Sequence, residues 1–182
     1  MRRPELAHLL RAASTVADDP DILLVGSQSI LGTYDEDDLP EAAVGSIEAD
    51  VAFFGAGAAE KADLVDGAIC EGSGFHQMYG YDAQGVEIDG LVALPAGWRD
   101  RVVVWRSHLS APGRAHCLER HDLAVAKLAA FREKDLEFVA ALIRARLLDP
   151  ALVLERLADT PDVSAPHRRR VTSWVRAVSS TD

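Results

Sequence analysis

Four consecutive apolar residues, Ile22-Leu23-Leu24-Val25, run directly into Gly26-Ser27. A short, partly β-branched apolar run closed by glycine is the pattern of a buried central strand. Helices are expected on both sides of it. Residues 5–17 place Leu6, Leu9, Leu10 and Ala13 at helical spacing. Gln28 to Leu31 reads as the start of a helix directly after Ser27. Hydrophobic residues make up 48% of 182 residues, enough to build one real core, so a single domain is the default.

From Ser46 the pattern changes to strict alternation. Ile47, Ala49, Val51 and Phe53 fall on one face, and Glu48, Asp50 and Ala52 on the other. This predicts a half-buried strand with two carboxylates side by side. Between the two strands, residues 32–45 are acidic, carry Pro40, and read as a solvated, mobile loop. A helix is expected over 59–71, a loop over 75–85, an edge strand over 86–94 and a third strand over 102–105. Asp122 is expected to cap a helical region that runs over 123–148, with Arg132-Glu133-Lys134-Asp135 inside it. Further helices are expected over 151–158 and 168–178. The organisation that follows is an α/β core over residues 1–115, with a helical region over 116–182 packed on it.

Two carboxylates on one strand face repel each other unless a cation lies between them. A hard divalent ion, Mg²⁺ or Mn²⁺, takes such oxygen ligands and keeps water and phosphate for the rest of its shell. Glycine at the end of a strand lets a phosphate approach the backbone, and the Ser27 hydroxyl adds a donor. Lys127 stands among Val125, Ala126, Leu128 and Ala129, an odd setting for a solvated lysine. The first 100 residues carry 19 acidic and 5 basic side chains, net −14, and the remainder 10 acidic and 14 basic, net +4. The acidic part suits a metal and the basic part suits phosphates.

Other chemistries lack their signatures. There is no Gly-x4-Gly-Lys-Ser/Thr loop, no Gly-x-Gly-x-x-Gly fingerprint and no Gly-x-Ser-x-Gly elbow. His116, Cys117 and His121 do not have zinc-site spacing, and Cys70 and Cys117 form no disulfide framework. No apolar run reaches the ~20 residues a membrane span needs, and no signal peptide is visible, so a cytoplasmic protein is expected. Arg168-Arg169-Arg170 reads as a surface cluster, with RNA contact as the alternative.

The segments Leu24 to Gly32, Ser46 to Val51, and His121 through Lys127 to Arg132-Glu133-Lys134-Asp135 together resemble the polymerase-β-type nucleotidyltransferase fold. Within it, the chain is similar to the proteins related to AbiEii-type toxins of type IV toxin–antitoxin systems. Phe75-His76 and Leu94-Pro95-Ala96-Gly97-Trp98 share that likeness. The resemblance implies a small mixed α/β (α+β) sheet flanked by helices, with a helical C-terminal part. It implies transfer of a nucleoside monophosphate from an NTP to an acceptor. Gly26, Ser27, Lys127 and Arg132 would hold the nucleotide, and Glu48 and Asp50 the metal. Glu48, Asp50, Lys127 and Asp135 would form the catalytic set. Glu48 stands where the signature has Asp, and a third carboxylate would be Glu87 or Asp89. The implied partners are tRNA as acceptor and a cognate antitoxin. Two other readings share the residues: a silent nucleotide-binding module, and an adenylyltransferase acting on a small molecule such as an aminoglycoside.

Overall fold

The computed structural model describes residues 1–88 and 93–180. Helix α1 (Arg3–Ala17) buries Leu6, Leu9, Leu10, Ala13 and Ala17 along one stripe. Strand β1 (Asp21–Leu24) follows, and Ile22, Leu23 and Leu24 are wholly buried, as the apolar run requires. After a short helix α2 (Glu41–Val44) comes β2 (Glu48–Phe53). Then come α3 (Ala58–Ile69), α4 (Gly74–Tyr79), β3 (Asp82–Gly85), β4 (Val103–Trp105) and β5 (Arg114–Cys117). The chain continues in α5 (Arg120–Ala130), α6 (Glu133–Arg144), α7 (Pro150–Ala158) and α8 (Ala165–Ser179).

The strands form one five-stranded mixed sheet in the order β3-β2-β1-β5-β4. The central strand β1 pairs antiparallel with β2 and parallel with β5. Helices α1 and α3 lie close against the sheet. A Cβ at Gly113 would strike the Leu10 carbonyl of α1, and one at Gly85 the Ala62 carbonyl of α3. The architecture is the mixed α/β sheet flanked by helices that the sequence implied.

Several local expectations are corrected. The helix after Ser27 is a six-residue 3-10 turn, Ser27–Gly32. The acidic segment is not all loop: it holds a 3-10 turn, Glu36–Asp38, and α2, and it meets the start of the chain through ion pairs. Arg3 Nη1 meets Asp35 Oδ2 at 2.9 Å and Arg2 Nε meets Glu36 Oε1 at 3.2 Å. The stretch 75–85 is not a loop, since it contains most of α4 and all of β3. The edge strand expected over 86–94 is displaced to β3, and residues 86–88 lie outside any strand. The rest of that expectation, Asp89 included, falls partly outside the described residues. Glu119, not Asp122, caps α5, its Oε2 accepting from the His121 amide at 2.9 Å. Asp122 is instead a buried carboxylate held by Arg101 Nε at 2.8 Å. The helical region over 123–148 is broken at Phe131, which adopts a left-handed φ of 54° between α5 and α6.

Candidate active site

The site forms where the end of β1, the start of β2 and the corner between α5 and α6 converge. Gly26 leaves β1 in an extended conformation and opens the 3-10 turn. Ser29 Oγ anchors that turn by donating to the Leu24 carbonyl at 2.5 Å. Gly26 is required by contact: a Cβ there would overlap the Asp50 carboxylate, which rests against the Gly26 backbone.

The break at Phe131 folds α6 back toward α5, which brings Asp135 onto Lys127. Lys127 Nζ donates to Asp135 Oδ1 at 3.1 Å and to Ser27 Oγ at 2.9 Å. The same ammonium sits 4.5 Å from the centre of the Phe138 ring. Asp135 is fully buried and also takes Arg132 Nε at 2.6 Å and Nη2 at 3.3 Å. Burial alone would raise its pKa, but the Arg132 hydrogen bonds and the Lys127 charge outweigh it and hold Asp135 below the usual carboxylate range. Burial lowers the pKa of Lys127, against the opposing pull of Asp135 and then Asp50.

On β2, Glu48 and Asp50 share one face, as the alternation predicts. Burial raises the pKa of Asp50, opposed by the charges of Lys127, Lys134 and Arg132. Burial also raises Glu48, reinforced by the charges of Asp50 and Asp82. Asp82 is a candidate site residue that the alternation along β2 does not reveal. It is the register partner of Glu48 on the neighbouring parallel strand, so both side chains project from the same face. It is buried and has no hydrogen-bond donor among the described residues; His76 Nδ1 lies 3.7 Å from it. Burial raises its pKa too.

Glu87 does not join this group. Val86 donates to the Val51 carbonyl, so the chain beyond it lies toward the far end of β2, where Glu87 lines a cleft with Phe53, Gly57 and Arg99. Asp89 lies outside the described residues.

Comparison with known proteins bears on this arrangement. Residues 5–180 match the family described as "Nucleotidyltransferase of unknown function (DUF6036)". The chain belongs to the DUF6036 family. No curated protein and no solved structure matches it. This DUF6036 chain thus combines a Gly-Ser turn, a paired-carboxylate strand and a lysine–aspartate pair in one place. No helix among its described residues is long and apolar enough to cross a membrane.

Among the described residues, no three His, Cys, Asp or Glu side chains gather closely enough to hold an ion unaided. Mg²⁺ does not need that, because it binds through one or two carboxylates and completes its shell with water and substrate phosphate. Glu48 and Asp50 are two such carboxylates on one face of β2.

Proposed function

We propose that this DUF6036 chain is a Mg²⁺- or Mn²⁺-dependent nucleotidyltransferase that moves a nucleoside monophosphate from an NTP to an acceptor hydroxyl. The observation that carries the reading is the Lys127 ammonium, buried, in contact with Ser27 and within the electrostatic reach of Asp50. An isolated buried ammonium is costly, and here its one hydroxyl partner belongs to the Gly-Ser turn. Gly26 lets the β- and γ-phosphates approach the chain, Ser27 Oγ donates to them, and Lys127 offsets charge on the departing pyrophosphate. Arg132, with its outer face in solvent, reaches the same phosphates. Glu48 and Asp50 would hold the divalent ion, which supplies charge neutralisation at the α-phosphate and acidifies the acceptor hydroxyl.

In the step itself, the acceptor oxygen forms a bond to the α-phosphorus and the bond from that phosphorus to the β-bridging oxygen breaks. The electron pair leaves with pyrophosphate. The acceptor proton passes to Asp82, a carboxylate with no competing donor and a raised affinity for a proton. Asp135 touches no substrate. It is a positioning residue that aims Lys127 and Arg132.

Carried over from AbiEii-type toxins, the acceptor would be tRNA and the partner a cognate antitoxin. The test is incubation of the purified protein with each α-³²P-labelled NTP, Mg²⁺ and total tRNA. Label on the RNA, lost in Asp50→Ala with the fold intact, is expected. Incorporation unchanged by Asp50→Ala would overturn the assignment of the site. Glu48, standing where the nucleotidyltransferase signature has Asp, favours one rival, a nucleotide-binding module without turnover, which would bind NTP and release no pyrophosphate.

A further inference from the structure

Helix α8 carries Arg168, Arg169, Arg170 and Arg176 and not one acidic residue among its fifteen. In a chain of net charge −10 this is a concentrated exception. The four arginines are not equivalent. Arg168 is committed to the fold, its Nη2 donating to the Thr160 carbonyl at 2.7 Å and the Val163 carbonyl at 3.3 Å. Arg170 lies over the Phe131 ring, its guanidinium carbon 4.0 Å from the centroid. Arg169 and Arg176 are exposed, and neither side chain has an ion-pair or hydrogen-bond partner among the described residues. They stand seven residues apart on one face, roughly 10 Å along the helix axis. Ser173 lies between them, and a shallow groove of about 500 Å³ runs along this face.

The position of the stripe is as telling as its charge. Phe131 is the residue that breaks the helix between α5 and α6, and the next residue is Arg132, which grips Asp135 in the site. Arg170 therefore sits at the shoulder of the active site, and Arg169 and Arg176 continue the positive surface away from it around α8.

We infer that α8 is the surface along which the phosphate backbone of an RNA acceptor lies, Arg169 and Arg176 being its phosphate contacts. This rests on the nucleotidyl-transfer reading of the adjoining site. A polyphosphate strand suits the feature because two unpaired guanidiniums with a hydroxyl between them offer charge and hydrogen bonds without a shaped pocket. The first hundred residues, net −14, repel a polyanion.

The test uses full-length protein carrying Asp50→Ala, which separates binding from transfer. Its affinity for fluorescein-labelled RNA of about tRNA length is followed by anisotropy between 50 and 200 mM salt. Adding Arg169→Glu and Arg176→Glu is expected to weaken binding at least tenfold and to reduce the salt slope by about two. Arg169→Lys/Arg176→Lys is expected to bind nearly as the parent, which rules out misfolding as the cause. In the otherwise native chain, the Glu pair should leave NTP affinity measured without RNA unchanged. If the Glu pair binds RNA with the parent's affinity and slope, or if polyglutamate displaces RNA at equal charge, the inference is overturned. Failure of transfer with RNA binding still lost in the Glu pair would count against the catalytic reading alone.

Discussion

Lys127 Nζ and Asp135 Oδ1 meet at 3.1 Å across the corner that Phe131 makes between two helices. Both groups are buried, so removing one strands the other. Lys127→Met is expected to cost about 3 kcal/mol in urea unfolding, the lower end of the range for a broken buried pair because Arg132 still binds Asp135. Lys127→Met/Asp135→Leu should recover most of that loss, since neither member of the buried pair is left without its partner. Neither variant should transfer nucleotide. Costs that simply add in the double variant would show that the two groups are not coupled.

Gly26→Ala tests the contact with Asp50. The new methyl must displace the carboxylate, at a cost of about 1–3 kcal/mol, and transfer should be lost. Gly26→Ala/Asp50→Ala frees the space, so its thermal midpoint should return toward that of Asp50→Ala while activity stays absent.

The raised pKa values of Glu48 and Asp50 predict a pH dependence with a definite sign. Burial is the first cause for both. A carboxyl whose folded pKa lies above its unfolded one leaves the folded state holding more protons. Its contribution is present below the unfolded pKa and is lost as pH rises through the folded value. At pH 7 both groups therefore work against the fold. Asp50→Asn should be more stable than wild type at pH 7, and the difference should shrink as pH falls into the ordinary carboxylate range. A variant less stable than wild type at neutral pH would contradict this.

A divalent ion removes the same penalty. With Mg²⁺ at a hundred times its Kd, the wild type should gain about 2.7 kcal/mol, or roughly 5–10 °C in Tm. Asp50→Asn should gain little. Equal gains in both proteins would place the ion elsewhere.

The position of Asp82 beside Glu48, with Glu87 at the far end of β2, predicts which carboxylate serves as the third. Asp82→Asn is expected to lower kcat by about 10²–10⁴ with little change in KM for NTP, and Glu87→Gln to leave kcat near wild type. The reverse result would move the proton acceptor to the other end of β2.

Much of the site was legible because it follows local rules. A period of two put Glu48 and Asp50 on one face, and an apolar run ending in Gly-Ser located the turn. A lysine among alanines, valine and leucine marked Lys127. What escaped depends on distant partners. Strand β3 reads Asp-Ala-Gln-Gly, without one β-branched or aromatic residue. It is a strand because β2 pairs with it in register and Gly85 admits the Ala62 carbonyl. The break at Phe131 has no glycine or proline to announce it, so the closure of Lys127 on Asp135 could not be read from a spacing of eight. The acidic loop looked solvated because its cations, Arg2 and Arg3, stand thirty residues earlier.

The order of these parts along the chain has a consequence for synthesis. Ser27, Glu48 and Asp50 emerge from the ribosome early, but β1 must wait for its parallel neighbour β5, and Ser27 for Lys127, a hundred residues downstream. No nascent chain that stops before Asp135 can hold the complete set. The candidate site therefore comes together only once the second half of the message has been read, in one late step.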